Sequence, residues 1–187
     1  MVAKALLVPF LAAAALGAPP RFALTDTAAQ VHTPAEWTAK RAVVLFFVTT
    51  DCPLSNGYVP EMNRVERDYA PRGVAVYAVQ GDATIPDDEV RRHAKEFGYG
   101  FPYLIDPRES LASFTGATTT PESAVLAPTG ALLYLGRIDN KVEDFGKQRL
   151  EATEFDLRGA LDAVLAGKPV PHSRTRAIGC AITRKTP

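Results

Sequence analysis

Apolar side chains concentrate in two dense runs, Ala42 to Val48 and Gly73 to Gln80, rich in β-branched and aromatic residues. Runs of this length suit strands buried on both faces, as in a parallel sheet. Between them Tyr58, Met62, Val65 and Tyr69 recur at helical spacing, which predicts one βαβ unit of right-handed crossover. Ahead of it, Arg21 to Asp26 alternates apolar and polar residues as a short strand does, with Val31-His32 as its hairpin partner. Thr33 to Trp37 reads as a helical turn with Pro34 early in it, and Trp37 as a packing residue. Downstream, Thr84-x-x-Asp87 predicts a capped helix with Val90, Ala94 and Phe97 on its buried face, ended by Gly98 and Gly100. His93 lies off that stripe and is expected in solvent. Phe101 to Ile105 is a short strand and Ser110 to Gly116 a short helix. Glu122 to Leu126 and Ala131 to Arg137 flank a Pro128-Thr-Gly130 turn as a hairpin. Residues 136–149 are polar without a period and read as a long loop. Thr153-x-x-Asp156 predicts a cap for a last helix with Leu157, Ala160, Leu161, Val164 and Leu165 on its stripe, and the tail from Pro171 reads as extended.

Charge narrows the choice of partners. Basic and acidic residues balance at 21 each and no Lys/Arg block stands out, so nucleic acid and anionic membranes are poor partners. Met1 to Ala18 has the layout of a secretory signal: one Lys, an apolar stretch, then small residues around Gly17. The stretch is short for a membrane span. Three segments are expected: a signal peptide over 1–18, one domain over 19–170, and a tail over 171–187 carrying Cys180. Export to the periplasm or the outside would permit one disulfide between the two cysteines, Cys52 and Cys180.

The candidate chemistry sits where the first apolar run stops. Thr49-Thr50-Asp51 follows it, then Cys52, then Pro53, a residue that suits the first turn of a helix. A thiol at a helix start feels unpaired N–H groups and the positive end of the helix dipole, both of which favour the nucleophilic thiolate. Asp51 opposes that charge. The sulfur is expected to be exposed there, beside a proline-shaped edge.

This stretch resembles the active-site segment of the thioredoxin-like superfamily, and within it the redoxin branch that holds thioredoxin-related exported proteins and AhpC/TSA peroxiredoxins. Cys52 falls at the nucleophile's place, Pro60 where thioredoxins kink their first helix, and Thr49-x-x-Cys52-Pro53 matches the peroxiredoxin Thr-x-x-Cys-Pro core. The resemblance implies an α/β, thioredoxin-like fold: a central mixed sheet flanked by helices, an N-terminal β-hairpin and a redoxin-type strand–helix insertion over 101–116. It implies that Thr120-Pro121 is a cis bond facing the cysteine, with backbone that pairs with an extended substrate. Cys52, Cys180 and Thr49 are the implied catalytic residues, and Pro53, Thr120, Pro121 and Arg137 the implied substrate contacts.

Departures from the family shape the chemistry. Ser55 stands where thioredoxins carry a second cysteine, and a hydroxyl cannot resolve a mixed disulfide. In peroxiredoxins a second thiol near the C-terminus resolves, and Cys180 has a comparable place in the chain. It either pairs with Cys52, in its own chain or a neighbour's, or stays unpaired. Leu45 replaces the family's proline and Phe46 the buried thioredoxin acid. No Arg stands beside Thr120-Pro121, Arg137 being the nearest downstream candidate. Three functions stay open: a thiol-dependent oxidoreductase acting on a thiol/disulfide protein partner or a small peroxide, a partner-binding module without turnover, or a copper-delivery protein. The last would need Cys52, Cys180 and His172 as its soft ligands, and no metal or other cofactor is expected. An inert or structural thiol is the alternative to all three.

Overall fold

The computed structural model describes residues 20–182. The expected signal segment, 1–18, lies outside them. The element order is β1 (Leu24–Asp26), β2 (Val31–His32), a 3-10 turn (Pro34–Ala39), β3 (Ala42–Val48), α1 (Pro53–Tyr69), β4 (Val74–Gln80), α2 (Asp87–Phe97), β5 (Tyr103–Ile105), α3 (Ser110–Thr115), β6 (Thr119–Thr120), β7 (Glu122–Leu126), β8 (Leu132–Gly136), β9 (Val142–Asp144), β10 (Lys147–Gln148), α4 (Asp156–Leu165) and β11 (Cys180–Ala181). Seven strands form one mixed sheet in the order β2-β1-β5-β4-β3-β7-β8. β3 runs parallel to β4 and antiparallel to β7, so the most apolar run of the sequence lies inside the sheet.

Alternation along β3 divides its side chains between two cores. Ala42, Val44, Phe46 and Val48 face the stripes of α1, α2 and α4. Val43, Leu45 and Phe47 face Trp37, Leu111 and Ala112 on the other side. Trp37 is buried as expected. Leu45 and Phe46 therefore serve packing.

Five local expectations are corrected. Thr84 does not cap α2; it bonds Asp82 through both its N–H and its hydroxyl, and Pro86 holds the cap position. Thr153 does not cap α4, because Asn140 engages its N–H and its hydroxyl while Phe155 precedes the helix. His93 is buried, and Phe97, expected in the core, is 38% exposed. The polar stretch 136–149 is not a bare loop, since β9 and β10 pair within it.

The N-terminal hairpin carries a charge-based lock. The His32 ring lies between Glu36 Oε2 at its Nδ1 and Asp26 Oδ2 at its Nε2, both at 3.0 Å. Tyr77 donates to the same Glu36 oxygen at 3.0 Å. Burial opposes a charged ring, but the bonds to Glu36 and Asp26 outweigh it and hold the His32 pKa above its ordinary value. Burial likewise opposes charge on Asp26 and Glu36, yet amide and His32 bonds on Asp26, and His32 and Tyr77 bonds on Glu36, hold both carboxyls below theirs. The raised His32 pKa adds stability that is complete below about pH 6.5 and lost as pH rises through the folded value. The lowered acids add stability that is complete above about pH 4 and lost in more acidic solution. His32→Gln is expected to cost about 1–3 kcal/mol at mildly acidic pH. It should also flatten the decline between neutral and alkaline pH, read as urea midpoints across pH.

Candidate redox site

The site is built at the carboxyl ends of β3 and β4, where parallel strands open onto a helix start. Gly81 N–H donates to the Val48 carbonyl at 2.6 Å, which closes the strand ends beneath the turn. Cys52 takes an extended conformation at the N-cap of α1 (φ −88°, ψ 107°), and Pro53 follows as the first helical residue. The first helical bond is Asn56 N–H to the Cys52 carbonyl at 3.0 Å.

Facing it is the Thr120-Pro121 bond, which is cis. The Cys52 Sγ lies 3.2 Å from the Thr120 carbonyl oxygen and 2.7 Å from the Cys180 Sγ. Two residues 128 apart in sequence are thus in contact, both as free thiols. The tail that carries Cys180 is pinned twice. At β8, Leu135 N–H donates to the Ser173 carbonyl and Thr175 N–H to the Leu135 carbonyl, at 3.0 and 3.2 Å. At β6, β11 pairs antiparallel with Cys180 opposite Thr120 and Ala181 opposite Thr119.

The sulfur placement is as expected, but its exposure is not. Cys52 is 0% exposed, because the tail lies over it. Burial nevertheless leaves the two thiols unequal. For Cys52 burial alone would raise the pKa, but the Cys180 S–H and the Ser55 amide and hydroxyl outweigh it and hold the thiol below its ordinary value. The Ser55 hydroxyl is buried without another partner among the described residues, so it is available to the sulfur. Cys180 is pushed up to about 12, first by burial, then by its bond to Cys52 and the charges of Cys52 and Asp51. The two sulfurs in contact therefore differ in acidity, Cys52 below the ordinary thiol value and Cys180 above it. The Asp51 charge contributes to the rise at Cys180.

The other expected residues divide. Thr120 is fully buried and supplies the carbonyl and the strand that meet both cysteines. Pro53 lines a cleft between α1 and the β9–β10 hairpin, with Tyr58, Asp139 and Gln148. Thr49 is buried beside the turn, but its hydroxyl donates to Asp51 Oδ1 at 2.9 Å rather than to the sulfur. The Arg137 guanidinium is committed to Glu154 and Asp156. His172 is exposed, at a cavity it shares with Asp156, Ala160 and Val170, and no group of three metal-binding side chains exists among the described residues.

Two residues near the site were not expected. Asn56 spans from the Thr50 carbonyl to His93 Nε2, at 3.1 and 2.8 Å, and steadies the turn before Cys52. Burial lowers the His93 pKa, so the ring is neutral and donates through Nε2. The signal was available: positions 90, 93, 94 and 97 form an i, i+3, i+4, i+7 set that includes the histidine. Glu122 accepts the N–H groups of Thr118 and Thr119, which braces the strand that receives the tail.

Known proteins share this architecture. A thiol:disulfide interchange protein of the thioredoxin family from Chlorobium tepidum superposes with a TM-score of 0.59 at 19% identity, over 79% of this chain and 95% of that one. It shows the fold to be thioredoxin-like. A hypothetical protein from Sinorhizobium meliloti superposes with a TM-score of 0.78 at 32% identity, over 94% and 97%. The thiol-disulfide oxidoreductase ResA of Halalkalibacterium halodurans is 27% identical over 108 residues, a match that spans 56% of this chain and 60% of that protein's length. The model of the AhpC/TSA family matches residues 17–135, from before β1 to the end of the hairpin behind Pro121. With more than half the sequence inside that match, this chain belongs to the AhpC/TSA family.

Proposed function

We propose that this chain is a thiol–disulfide oxidoreductase of the redoxin type, with Cys52 as the attacking thiolate and Cys180 of the same chain as the resolving thiol. The observation that carries it is the 2.7 Å contact of the two sulfurs beside the Thr120 carbonyl. In the first step the Cys52 thiolate attacks a disulfide R–S–S–R′, forms Cys52–S–S–R and releases R′–S⁻, which takes a proton. In the second, Cys180 loses its proton and attacks the Cys52 sulfur, closing the Cys52–Cys180 disulfide and releasing R–S⁻. The substrate gains two electrons, and an external thiol reductant restores the dithiol. The first step assists the second. Once Cys52 is in a mixed disulfide its charge is gone, and with it two of the influences that keep Cys180 protonated.

ResA, the curated relative, is named for thiol-disulfide oxidoreduction, which supports the same chemistry here. Peroxide reduction is less supported, since Arg137 is bound to two carboxylates and the Thr49 hydroxyl to Asp51. The domain over 19–170 then carries the attacking site, the tail over 171–187 is the resolving arm, and 1–18 is an export signal that places the protein in the periplasm or outside the cell. The test is oxidation of the reduced protein by a disulfide-bonded protein substrate, followed by intact-mass and peptide mapping. The expected product is a monomer with Cys52 joined to Cys180. A disulfide between chains, or a substrate left unreduced, would overturn the proposal.

A further inference from the structure

The tail occupies the place where an incoming polypeptide would bind. Cys180 and Ala181 add an antiparallel strand to Thr120 and Thr119, and Ile182 N–H donates to the Thr118 carbonyl at 2.9 Å. Strand addition of this kind draws affinity from main-chain bonds and selectivity from side-chain sites along the strand. Those sites are shaped here. Gly179 crosses the Thr120-Pro121 peptide so closely that a Cβ on it would lie 2.0 Å from the Thr120 oxygen and 2.7 Å from its carbonyl carbon. Both obstructing atoms are backbone, so no residue larger than glycine fits without moving the strand. Ile178 lies one residue earlier, at a small cavity lined by Tyr58, Pro121, Ile138 and Val142. Ile182 is buried on the other side of the cysteine, over Gly81.

Resting on the function proposed above, we infer that Ile178 to Ile182 is a resident copy of the substrate. The site takes extended polypeptide segments in which a cysteine follows glycine, with an aliphatic residue two positions before it and another two positions after. Because the copy leaves Cys52 with no exposure, it must leave the groove before such a segment enters. Closing the Cys52–Cys180 disulfide fastens the copy in place, so the oxidised protein is shut to further protein substrate until its reductant arrives.

The test uses the full chain carrying Cys180→Ser, which keeps the tail but cannot resolve. Its probes are heptapeptides copying Arg176 to Ile182, each with its cysteine held as a mixed disulfide with thionitrobenzoate. Attack by Cys52 on the peptide sulfur releases coloured thionitrobenzoate and leaves a peptide adduct of known mass. The tail-like peptide is expected to react about tenfold faster or more than one with valine in place of glycine, the scale at which one misfitting group in a packed site discriminates. Adding Gly179→Val to the protein should unseat its own tail, so that the tail-like peptide reacts several-fold faster and iodoacetamide reaches Cys52 sooner. Equal rates for the two peptides, or no acceleration by Gly179→Val, would overturn the inference. A small aromatic disulfide separates the two levels. If it reacts at Cys52 while every peptide behaves alike, only the copied-substrate inference falls. If it too is inert, the function proposed for Cys52 falls with it.

Discussion

Replacing Cys180 by Ser is expected to arrest the reaction at its midpoint, with substrate joined to Cys52 and turnover reduced about 100-fold or more, because a hydroxyl cannot take over thiol exchange. The adduct should be visible by intact mass and vanish when Cys52 is also replaced. Cys180→Ala separates resolution from activation. Both variants lose the resolving thiol, but only alanine removes the hydrogen-bond donor that Cys52 faces at 2.7 Å. The Cys180 S–H is the strongest of the influences lowering the Cys52 pKa, so its loss lets burial push the value upward. The pH midpoint for alkylation of Cys52 should therefore move up from the wild-type protein to Cys180→Ala. Multiple turnovers by Cys180→Ser would remove Cys180 as the resolving thiol, and an unmoved midpoint in Cys180→Ala would remove it as the donor that activates Cys52.

What could be read in the sequence was what short-range chemistry decides. The run Ala42–Val48 is apolar at every position because both of its faces are covered, and it lies inside the sheet as its pattern predicts. Cys52-Pro53 marks the helix start because proline has no N–H to leave unpaired there. Thr120-Pro121 was legible as a cis bond through the family resemblance. Thr84 and Thr49 fail locally, each drawn to an aspartate two residues away, and other failures come from contacts with more distant parts of the chain. Thr153 looks like a cap until Asn140 reaches it, and Arg137 looks free until Glu154 and Asp156 surround it. Cys52 looks exposed in any local reading, since the segment that covers it arrives from more than 100 residues away. The two glycines that admit the tail, Gly136 and Gly179, carry no turn signal and are explained only by the strands that pass over them.

Gly136→Val should divide the reaction into a faster first half and a slower second one. At the end of β8 a Cβ on Gly136 would lie 2.6 Å from the Thr175 carbonyl oxygen and 2.8 Å from its nitrogen. Because these are backbone atoms, the tail must lift from β8, losing the Ser173 and Thr175 ladder bonds and those of the Thr175 hydroxyl to Tyr134 and Arg137. Cys180 would then reach Cys52 from a loose arm. A flexible tether supplies an effective concentration of about millimolar, whereas a held group gains orders of magnitude more. Resolution is therefore expected to slow about 100-fold. Attack on a protein disulfide should quicken over the same change, because the edge at Thr120 is no longer covered. Rapid-quench trapping would show the mixed disulfide building up early and decaying late. Thr175→Ala is the milder companion: it removes the hydroxyl bonds but leaves the close approach of the two backbones, so it should move both rates in the same directions by less. Opposite shifts in the two halves are the mark of a segment that both covers the nucleophile and delivers the thiol that frees it. Slowing of both halves together would instead mean that Gly136 matters only to the packing of β8.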